Sequence, residues 1–371
     1  MEKFRSPVLF LARGGDIDGQ QRQVIYLAEG LARQDLTVSA SEPGELHNEL
    51  VRRTVDSRVT RMSSWRSITR IVDRYADAYR LLGYAREKGI RIVHAHDVWR
   101  AEYAHFIARR LAIPYVVHVR GPLTPRDIKK HKLNNADALI AIAQRYVDDL
   151  VKSGIDPRRI ALVDDGVNLD LFNPSHADPT YLARNFGLKD RLLVGIVGRL
   201  SAFKHIDDFL NIVSRMPPAT EQAVMFVIAG KWDNAEYRDQ ISETVRRLGI
   251  ASRVAIVGRI PDSDAPKLLS SLDLLVTLSG GSVMFEAMAM RKPVLSIRTD
   301  GRHSEHTRHG QTAWCIDGHS ADAAAAELTY LLNDQALRHR LGQDARLWVE
   351  QHLSSQTMVD KVTAVYAGLT A

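Results

Sequence analysis

Two cations stand in one short segment of the chain, where they could neutralise a bound diphosphate. Arg199 follows Gly198, and Lys204 comes five residues later. The segment lies between an apolar run, 192–197, and a helix-like stretch, 205–216. A strand's carboxyl end and a helix N-terminus would then meet there, and the free N–H groups and the dipole of such a terminus favour an anion. The segment predicts a phosphate site, with an exposed turn as the alternative interpretation.

A carboxylate in an apolar setting marks a second candidate. Glu286 lies in the sequence Val-Met-Phe-Glu-Ala-Met-Ala, shortly after the pair Gly280 and Gly281. An unpaired buried carboxylate is costly, whereas each hydroxyl of a ribose could donate a hydrogen bond to it. Glycines permit a ligand to approach the backbone closely. The segment therefore predicts contact with a nucleoside, and a carboxylate that stabilises a helix N-terminus is the alternative.

Other chemistries find little support in the spacing of the residues. His94 and His96 alternate along a predicted strand and would point the same way, but no third metal ligand is spaced to join them. Gly14, Gly15 and Gly19 lack the G-x-G-x-x-G spacing of a dinucleotide fingerprint. The chain has neither a Walker-type loop nor a Gly-x-Ser-x-Gly elbow. We expect no metal and no cofactor.

Hydrophobic periodicity indicates the scaffold that must position these segments. Apolar strand-like runs alternate with helix-period segments over residues 8–163, and the alternation starts again over 192–297. Buried strands that alternate with helices indicate parallel sheets with helices on both faces. The stretch 166–190 has little periodicity and is predicted to be a linker. A length of 371 residues also favours two domains, at roughly 150 residues each.

The charge of the chain favours anionic partners. The net charge is +6, and residues 51–80 alone contain eight Arg and three Asp. Arg66, Arg70 and Arg74 are spaced so that they would share one face of a helix. The segment predicts either a solvated helix face or attraction to an acidic membrane surface or an anionic acceptor. Nucleic acid is not expected, because aromatic residues are not interleaved with the charges.

The single cysteine and the length of the apolar runs bear on location. Cys315 has no second cysteine to pair with, which fits a reducing compartment. No run approaches the ~18 apolar residues of a membrane span. We expect a cytoplasmic protein, with peripheral contact at the inner face of the membrane as an open alternative.

Taken in order, these segments resemble the retaining GT-B glycosyltransferases of family four, over nearly the whole chain. Gly19 with Arg22 is similar to the N-terminal glycine loop of that family, and Asp18 stands where a second glycine is usual. The other segments that carry the likeness are Asp165-Gly166-Val167-Asn168 with Phe172, Gly198-Arg199 with Lys204, Ala229-Gly230, Glu286-Ala287-Met288-Ala289 with Pro293-Val294, and Asp300-Gly301 with Glu305 and Gly310.

The resemblance implies an α/β fold of the GT-B class, in which two Rossmann-like, doubly wound parallel-sheet domains face each other across a cleft. The N-terminal acceptor domain would span residues 1–167. The C-terminal donor domain, which would bind the nucleotide sugar, would span residues 190–350. A C-terminal helix over 356–371 would pack back on the first domain, as it does in the family.

The same resemblance implies transfer of a sugar from a UDP-sugar or GDP-sugar to a hydroxyl acceptor, with retention of configuration and without a metal. The acceptor would be a glycan, a lipid-linked sugar or a small molecule, in glycan, glycolipid or secondary-metabolite biosynthesis. The implied catalytic residues are Arg199, Lys204 and Arg120. The implied donor-binding residues are Gly19, Gly198, Gly230, Ile260, Gly281, Ser282, Val283 and Glu286, and Asp18 and His118 lie on the acceptor side.

Two positions depart from the family pattern. Leu278 stands where the family usually carries a Glu that contacts the donor sugar, and Arg120 stands at the His of the family's T-V-H-G. The departures leave two alternatives open. One is a nucleotide-sugar epimerase of the same architecture, which would need general acid and base carboxylates in the cleft. The other is a protein that binds the donor without turnover.

Overall fold

The chain folds into two compact units. The computed structural model describes residues 7–31, 35–65, 68–217, 224–298, 303–318 and 320–370. Unit 1 comprises residues 1–166 and 355–371, and unit 2 comprises residues 167–354. Each unit contains one sheet in which every strand pairing is parallel.

Unit 1 is built on a seven-stranded sheet with the order β3-β2-β1-β4-β5-β6-β7. Its strands are β1 Val8–Ala12, β2 Leu36–Ala40, β3 Asp56–Val59, β4 Ile92–Ala95, β5 Tyr115–Val119, β6 Ala138–Ala141 and β7 Ile160–Leu162. Its helices up to this point are α1 Gly19–Leu31, α2 Glu45–Arg52, α3 Ile71–Glu87, α4 Ala101–Leu111, α5 Pro125–Lys130 and α6 Gln144–Lys152. Strands β1, β2, β4, β5 and β6 are buried along their whole length, as expected for a parallel sheet covered on both faces.

Unit 2 is built on a six-stranded sheet with the order β10-β9-β8-β11-β12-β13. Its strands are β8 Leu192–Val197, β9 Val224–Ala229, β10 Val254–Gly258, β11 Leu274–Thr277, β12 Val294–Arg298 and β13 Trp314–Asp317. Its helices are α7 Tyr181–Phe186, α8 Ile206–Arg215, α9 Ala235–Arg247, α10 Ala265–Ser271, α11 Ser282–Ala289, α12 Ala321–Asn333 and α13 Gln335–His352. Two Rossmann-like parallel sheets, predicted from the alternation of strands and helices, are confirmed.

The last helix, α14 Ser355–Thr370, belongs to unit 1. Its apolar residues, Val359 and Val362 among them, are buried in one core with residues of β1 and α1. A Cβ at Gly30 of α1 would lie 2.3 Å from Val359, so the glycine permits the two helices to approach closely. The Tyr366 hydroxyl lies 2.5 Å from His94 Nδ1 in β4, 272 residues earlier in the chain.

The stretch 166–190, predicted to be a linker, is instead largely folded onto unit 2. Phe172, Tyr181 and Leu182 are buried in the unit 2 core, and α7 lies within the stretch. The Asn168 and Asp178 side chains accept backbone hydrogen bonds and fix tight turns. The prediction was wrong because apolar residues between such turns can be buried without a helical or strand period.

Candidate functional site

The strand order of unit 2 reverses at β8, and the reversal sets two loops side by side. Strand β9 pairs with one edge of β8, and β11 pairs with the other. In open parallel sheets, ligands bind outside the carboxyl ends of the strands at such a switch point. Residues 198–205 connect β8 to α8, and residues 278–281 connect β11 to α11. Both segments that the sequence singled out therefore lie at the predicted place for a ligand.

Lys204 reaches from the first of these loops to the second. Its Nζ donates a hydrogen bond of 3.1 Å to the Gly280 carbonyl oxygen. The same Nζ lies 3.4 Å from where a Cβ would stand at Gly281 and 3.7 Å from that position at Gly198. The ammonium thus lies beside glycine backbone. Since glycine has no side chain, the space that a side chain would fill is left for a ligand.

The electrostatics of the site favour a bound anion. Burial and, second to it, the positive charge of Arg199 lower the pKa of Lys204 to about 8, while Glu286 acts in the opposite direction. The interactions of Lys204 with both residues place the three charged groups in one neighbourhood. A partly desolvated ammonium beside a second cation gains more from a bound anion than an exposed one would. The cluster is suited to a diphosphate.

Gly230, at the end of β9, forms part of the floor beneath the first loop. A Cβ there would lie 1.7 Å from the Gly198 carbonyl oxygen, and its φ is 149°. Gly198 N donates to the Ala229 carbonyl, and Gly230 N donates to the Gly258 carbonyl, at 3.0 and 2.8 Å. Only glycine permits this approach of two backbone segments, so Gly230 has a shaping role.

Helix α11 begins beside the Lys204 ammonium. Gly281 is its N-cap, with φ of 106°, and no side-chain hydrogen bond caps this end among the described residues. The first N–H groups of a helix have no partner within it, so Ser282 and Val283 offer backbone donors at this end. Glu286, one turn further along, is buried. Backbone donors, an ammonium and a carboxylate therefore meet at one end of α11.

Three further positions of unit 2 differ in their surroundings. Ile260 follows β10 and packs, partly buried, against the unit 2 core. Leu278 is buried in a second core cluster, so the position where the family usually carries a Glu belongs to the apolar interior. Arg298 ends β12, and its Nη1 lies 3.8 Å from where a Cβ would stand at Gly280. Sequence reasoning missed Arg298, although a cation at the end of the strand next to β11 was a usable signal.

In unit 1, Asp18 and Gly19 begin helix α1. The Asp18 carboxylate accepts a hydrogen bond of 2.9 Å from Gln20 N, and its carbonyl accepts one from Arg22 N. The Asp18 side chain thus takes up one of the free donors at the start of the helix. Both predicted residues lie in the connection that leaves β1 at its carboxyl end.

His118 belongs to a buried group of three histidines. His94 Nε2 lies 2.9 Å from His118 Nδ1, and the His96 ring lies edge-on to the His118 ring at 5.1 Å. Burial lowers the pKa of His94 to about 3 and holds the pKa of His96 and His118 well below the usual value, and the charge of Arg120 adds to this. The three rings are neutral at physiological pH, and both nitrogens of His94 already have polar neighbours.

Arg120, predicted to be catalytic, makes an ion pair inside unit 1. Its Nη2 donates to both carboxylate oxygens of Asp165, at 2.7 and 2.8 Å, and both side chains are largely buried. The pair connects the end of β5 to the segment after β7. The structure thus brings Gly198, Lys204 and Gly281 together with Arg199 and Glu286 in unit 2. Asp18, Gly19, His118 and Arg120 lie in unit 1.

The arginine-rich segment is less helical than its spacing predicted. Arg66 lies outside the described residues, as do Asp300 and Gly301 of the resemblance. Helix α3 begins only at Ile71, and Arg70 lies in the preceding 3-10 turn, so Arg74 alone of the three is placed in the helix. Arg70 therefore lies just before the helix on which the shared face was expected.

Several of these arginines are neutralised by ion pairs. Arg52 and Arg53 both pair with Glu49, at 2.5 and 2.6 Å. Asp77 accepts from Arg61 at 3.4 Å and from Arg80 at 3.0 Å. Such pairs reduce the positive potential that the residue count alone suggested.

The solvent side of α3 is apolar over its first two turns. Val72, Tyr75 and Tyr79 are 81%, 41% and 56% exposed, and their spacing places them on one stripe. Two guanidinium groups flank the stripe, with Arg74 5.6 Å from the Tyr75 ring and Arg110 5.6 Å from the Tyr79 ring. No helix among the described residues combines the length and the apolarity that crossing a membrane requires.

Comparisons with known families agree with the two-unit architecture. The family described as "Glycosyl transferases group 1" matches residues 182–348, and the family "Glycosyltransferase Family 4" matches residues 17–171. The two matches fall on unit 2 and, almost entirely, on unit 1.

Individual relatives share about a quarter of their aligned residues with this chain. The chain is 26% identical over 369 residues to a D-inositol 3-phosphate glycosyltransferase of Corynebacterium glutamicum (strain R), covering 89% of this chain and 87% of the relative. It is 24% identical over 308 residues to an alpha-D-kanosaminyltransferase of Streptomyces kanamyceticus, covering 76% of this chain and 78% of the relative.

Solved structures with the same fold cover both units. Anabaena Alr3699/HepE in complex with UDP and glucose aligns with a TM-score of 0.85 at 18% identity, over 98% of this chain and 100% of the other. Sucrose-phosphate synthase from Thermosynechococcus elongatus aligns with a TM-score of 0.82 at 19% identity, over 99% of both chains. At these identities the likeness is one of fold.

Proposed function

We propose that this chain, which belongs to the group 1 glycosyltransferases with the GT-B fold, transfers a sugar from a nucleoside-diphosphate sugar to a hydroxyl group of an acceptor. One observation carries the proposal. The half-buried Lys204 ammonium lies at the switch point of the unit 2 sheet, within electrostatic reach of Arg199 and Glu286. Negative charge develops on the departing diphosphate, and cations already in place there lower the barrier most.

Each donor group has a proposed partner in unit 2. Lys204 and Arg199 hold the diphosphate, and Glu286 accepts hydrogen bonds from the ribose hydroxyls. The backbone N–H groups of 281–283 bind phosphate and sugar, and Ile260 contacts the base. A uracil base is the first choice, since the HepE structures of the same fold are described as complexes with UDP, with UDP and glucose, and with UDP-glucose.

The finer features of the reaction are proposals that rest on the family resemblance. The reaction retains the configuration of the transferred sugar. It needs no metal, because Arg199 and Lys204 supply the positive charge that a divalent cation supplies elsewhere. Arg120 is the proposed catalytic residue of unit 1, and Asp18, Gly19 and His118 belong to the same half. Leu278, which is buried, leaves recognition of the donor sugar to other groups.

Product analysis across a panel of UDP- and GDP-sugars tests the function. Release of nucleoside diphosphate supports a transferase, isomerised donor indicates an epimerase, and tight binding without either product indicates a protein that only binds the donor. Arg199→Ala and Lys204→Ala should each cost ~2–4 kcal/mol of transition-state stabilisation, about a 30- to 900-fold loss of rate. Arg215→Ala, a 59% exposed arginine at the far end of α8, is the matched control and should leave the rate unchanged.

We also propose that the α3 side of unit 1 contacts an acidic membrane surface. An exposed apolar and aromatic stripe with flanking arginines is the pattern of a helix that lies in a membrane interface. Val72 and Tyr79 would enter the interface, and Arg110 would face the lipid phosphates. An acceptor carried by a membrane lipid would then be within reach of unit 1.

Sedimentation with lipid vesicles tests this contact. The protein should pellet with vesicles that contain phosphatidylserine and not with pure phosphatidylcholine, and added salt should weaken the binding. Tyr79→Asp should reduce the bound fraction at least about tenfold, because a charged group would have to enter the interface. Tyr330→Asp, a 51% exposed tyrosine in unit 2, should not. Protein that stays in the supernatant with acidic vesicles would rule the contact out.

A further inference from the structure

A small cavity opens in unit 1 at the carboxyl edge of its sheet. It lies between the connection after β3 and the connection after β4, and its volume is about 210 Å³. Pockets for drug-sized ligands measure about 300–1,000 Å³, and one water molecule takes roughly 30 Å³ of the liquid. The cavity therefore has room for one ring-sized ligand. Its polar and aromatic lining consists of Ser63, Ser64, Trp65, Trp99, Arg100 and Glu102.

Two indole rings supply apolar surface on opposite connections. Trp99 is 54% exposed and rests edge-on against His131, at 5.4 Å between ring centroids. Trp65 is held from two sides by edge contacts to Tyr75 and Tyr103, at 5.5 and 5.4 Å. Rings held in this way lose little freedom when a ligand packs against them. A pyranose ring carries C–H groups on its faces, which suit an aromatic surface.

Two buried donors of the lining have no acceptor among the described residues. They are Trp65 Nε1 and Arg100 Nε. Buried donors without a partner are rare, because the hydrogen bond lost to water is not replaced. Both atoms have almost no accessible surface, so neither is offered to a ligand in the cavity. Glu102 offers a carboxylate in the same lining. A sugar hydroxyl both donates and accepts, so a polyhydroxylated ring could donate to the Glu102 carboxylate.

The charges of the cavity argue against a phosphorylated ligand. Arg100 is the one cation among the lining residues, and its Nη1 already contacts both Asp97 oxygens, at 3.1 and 3.3 Å. The Glu102 carboxylate lies 3.1 Å from His131 Nδ1. A phosphate in this cavity would be repelled by Glu102, and the Arg100 charge is already balanced by Asp97. Lys204 in unit 2 differs, because a second cation, Arg199, acts on it.

We infer that this cavity binds an uncharged pyranose ring of the acceptor, which Trp99 and Trp65 hold by their rings and Glu102 by its carboxylate. The inference rests on the proposed function, because it assigns the acceptor as a glycan or glycoside. The inferred acceptor, an uncharged sugar, also differs from the inositol phosphate that the names of several relatives specify. The acceptor is recognised here through stacking and hydroxyl contacts.

Saturation-transfer NMR on the full chain, without any donor, measures the binding. The ligands are the methyl glycosides of glucose, galactose and mannose, their β-linked disaccharides, and glucose 6-phosphate. We expect saturation transfer to the ring protons of at least one neutral glycoside. Trp99→Ala should weaken that affinity at least tenfold and Trp99→Phe should largely retain it, while Tyr330→Ala, an exposed aromatic of unit 2, should leave it unchanged.

Three results would overturn the inference. They are no transfer to any neutral glycoside, unchanged affinity in Trp99→Ala, and at least tenfold tighter binding of glucose 6-phosphate than of methyl glucoside. Circular dichroism of Trp99→Ala establishes that the variant is folded, as expected for a half-exposed side chain. Because the assay contains no nucleotide and needs no turnover, its failure is distinct from a failure to release nucleoside diphosphate, which tests the proposed function by itself.

Discussion

Raising the pH should remove the charge of one side chain in the donor site, Lys204. Its pKa is lowered from 10.5 to about 8, first by burial and then by Arg199. A lowered lysine pKa means that the ammonium is present below about pH 8 and is lost above it. At pH 9, one unit above the pKa, about a tenth of the molecules keep the charge, so kcat/KM for the donor should fall about tenfold from its plateau.

The assay is nucleoside-diphosphate release at low donor concentration between pH 6.5 and 9.5. Because kcat/KM reports the free enzyme, its decline should follow the pKa near 8. A bound diphosphate raises the lysine pKa again, so the decline in kcat should appear at higher pH.

Lys204→Arg separates this effect from every other titrating group. The guanidinium keeps its charge throughout the range, so the variant should have a lower plateau and no decline that begins near pH 8. Titration of the donor or of another residue would instead give the same decline in both proteins. A flat wild-type profile to pH 9.5, or an identical decline in Lys204→Arg, would refute the reasoning. Circular dichroism at each pH monitors the fold.

Two further predictions concern backbone shape and the C-terminal helix. Gly230→Ala should lower the free energy of unfolding by about 1–3 kcal/mol in urea denaturation and raise KM for the donor, because its Cβ would overlap the Gly198 carbonyl. Gly249→Ala, with φ of 66° and open space around it, is the control; it should cost about 1 kcal/mol and leave KM unchanged, and equal KM values in both would contradict the prediction. Tyr366→Phe should cost about 0.5–1.5 kcal/mol, because it removes the hydroxyl beside His94. Unchanged stability would show that this contact does not help to hold α14.

The regular elements were the most predictable part of the fold. Helix α4 and strand β11 have the bounds that periodicity predicted. Both are continuous runs with a clear pattern, because the helix buries one face and the strand is buried along its whole length. The stretch 166–190 was not predictable in the same way. Its buried residues, Phe172 among them, are separated by turns, so the burial follows no period that a sequence pattern could reveal.

Some contacts of the candidate sites could also be predicted from the sequence, and others could not. The resemblance led us to expect Lys204 and Gly281 in one donor site, and they lie together because the ends of adjacent parallel strands meet at one edge of a sheet. The contact between His94 and Tyr366 joins positions 272 residues apart, and no local pattern indicates it. The cavity beside Trp65 could not be predicted from the sequence for a related reason. Its two indoles lie on different connections, and tertiary packing brings the connection after β3 against α4, where Trp65 and Ser63 contact Tyr103.

A crystal structure of the protein with bound UDP tests the central claim most directly. The account predicts diphosphate oxygens about 2.7–2.9 Å from Lys204 Nζ and from the Arg199 guanidinium, beside the first turn of α11. It also predicts that the Glu286 carboxylate accepts hydrogen bonds from the ribose hydroxyls. UDP bound away from residues 198–204 would contradict the account, as would a diphosphate in that place without contact to Lys204.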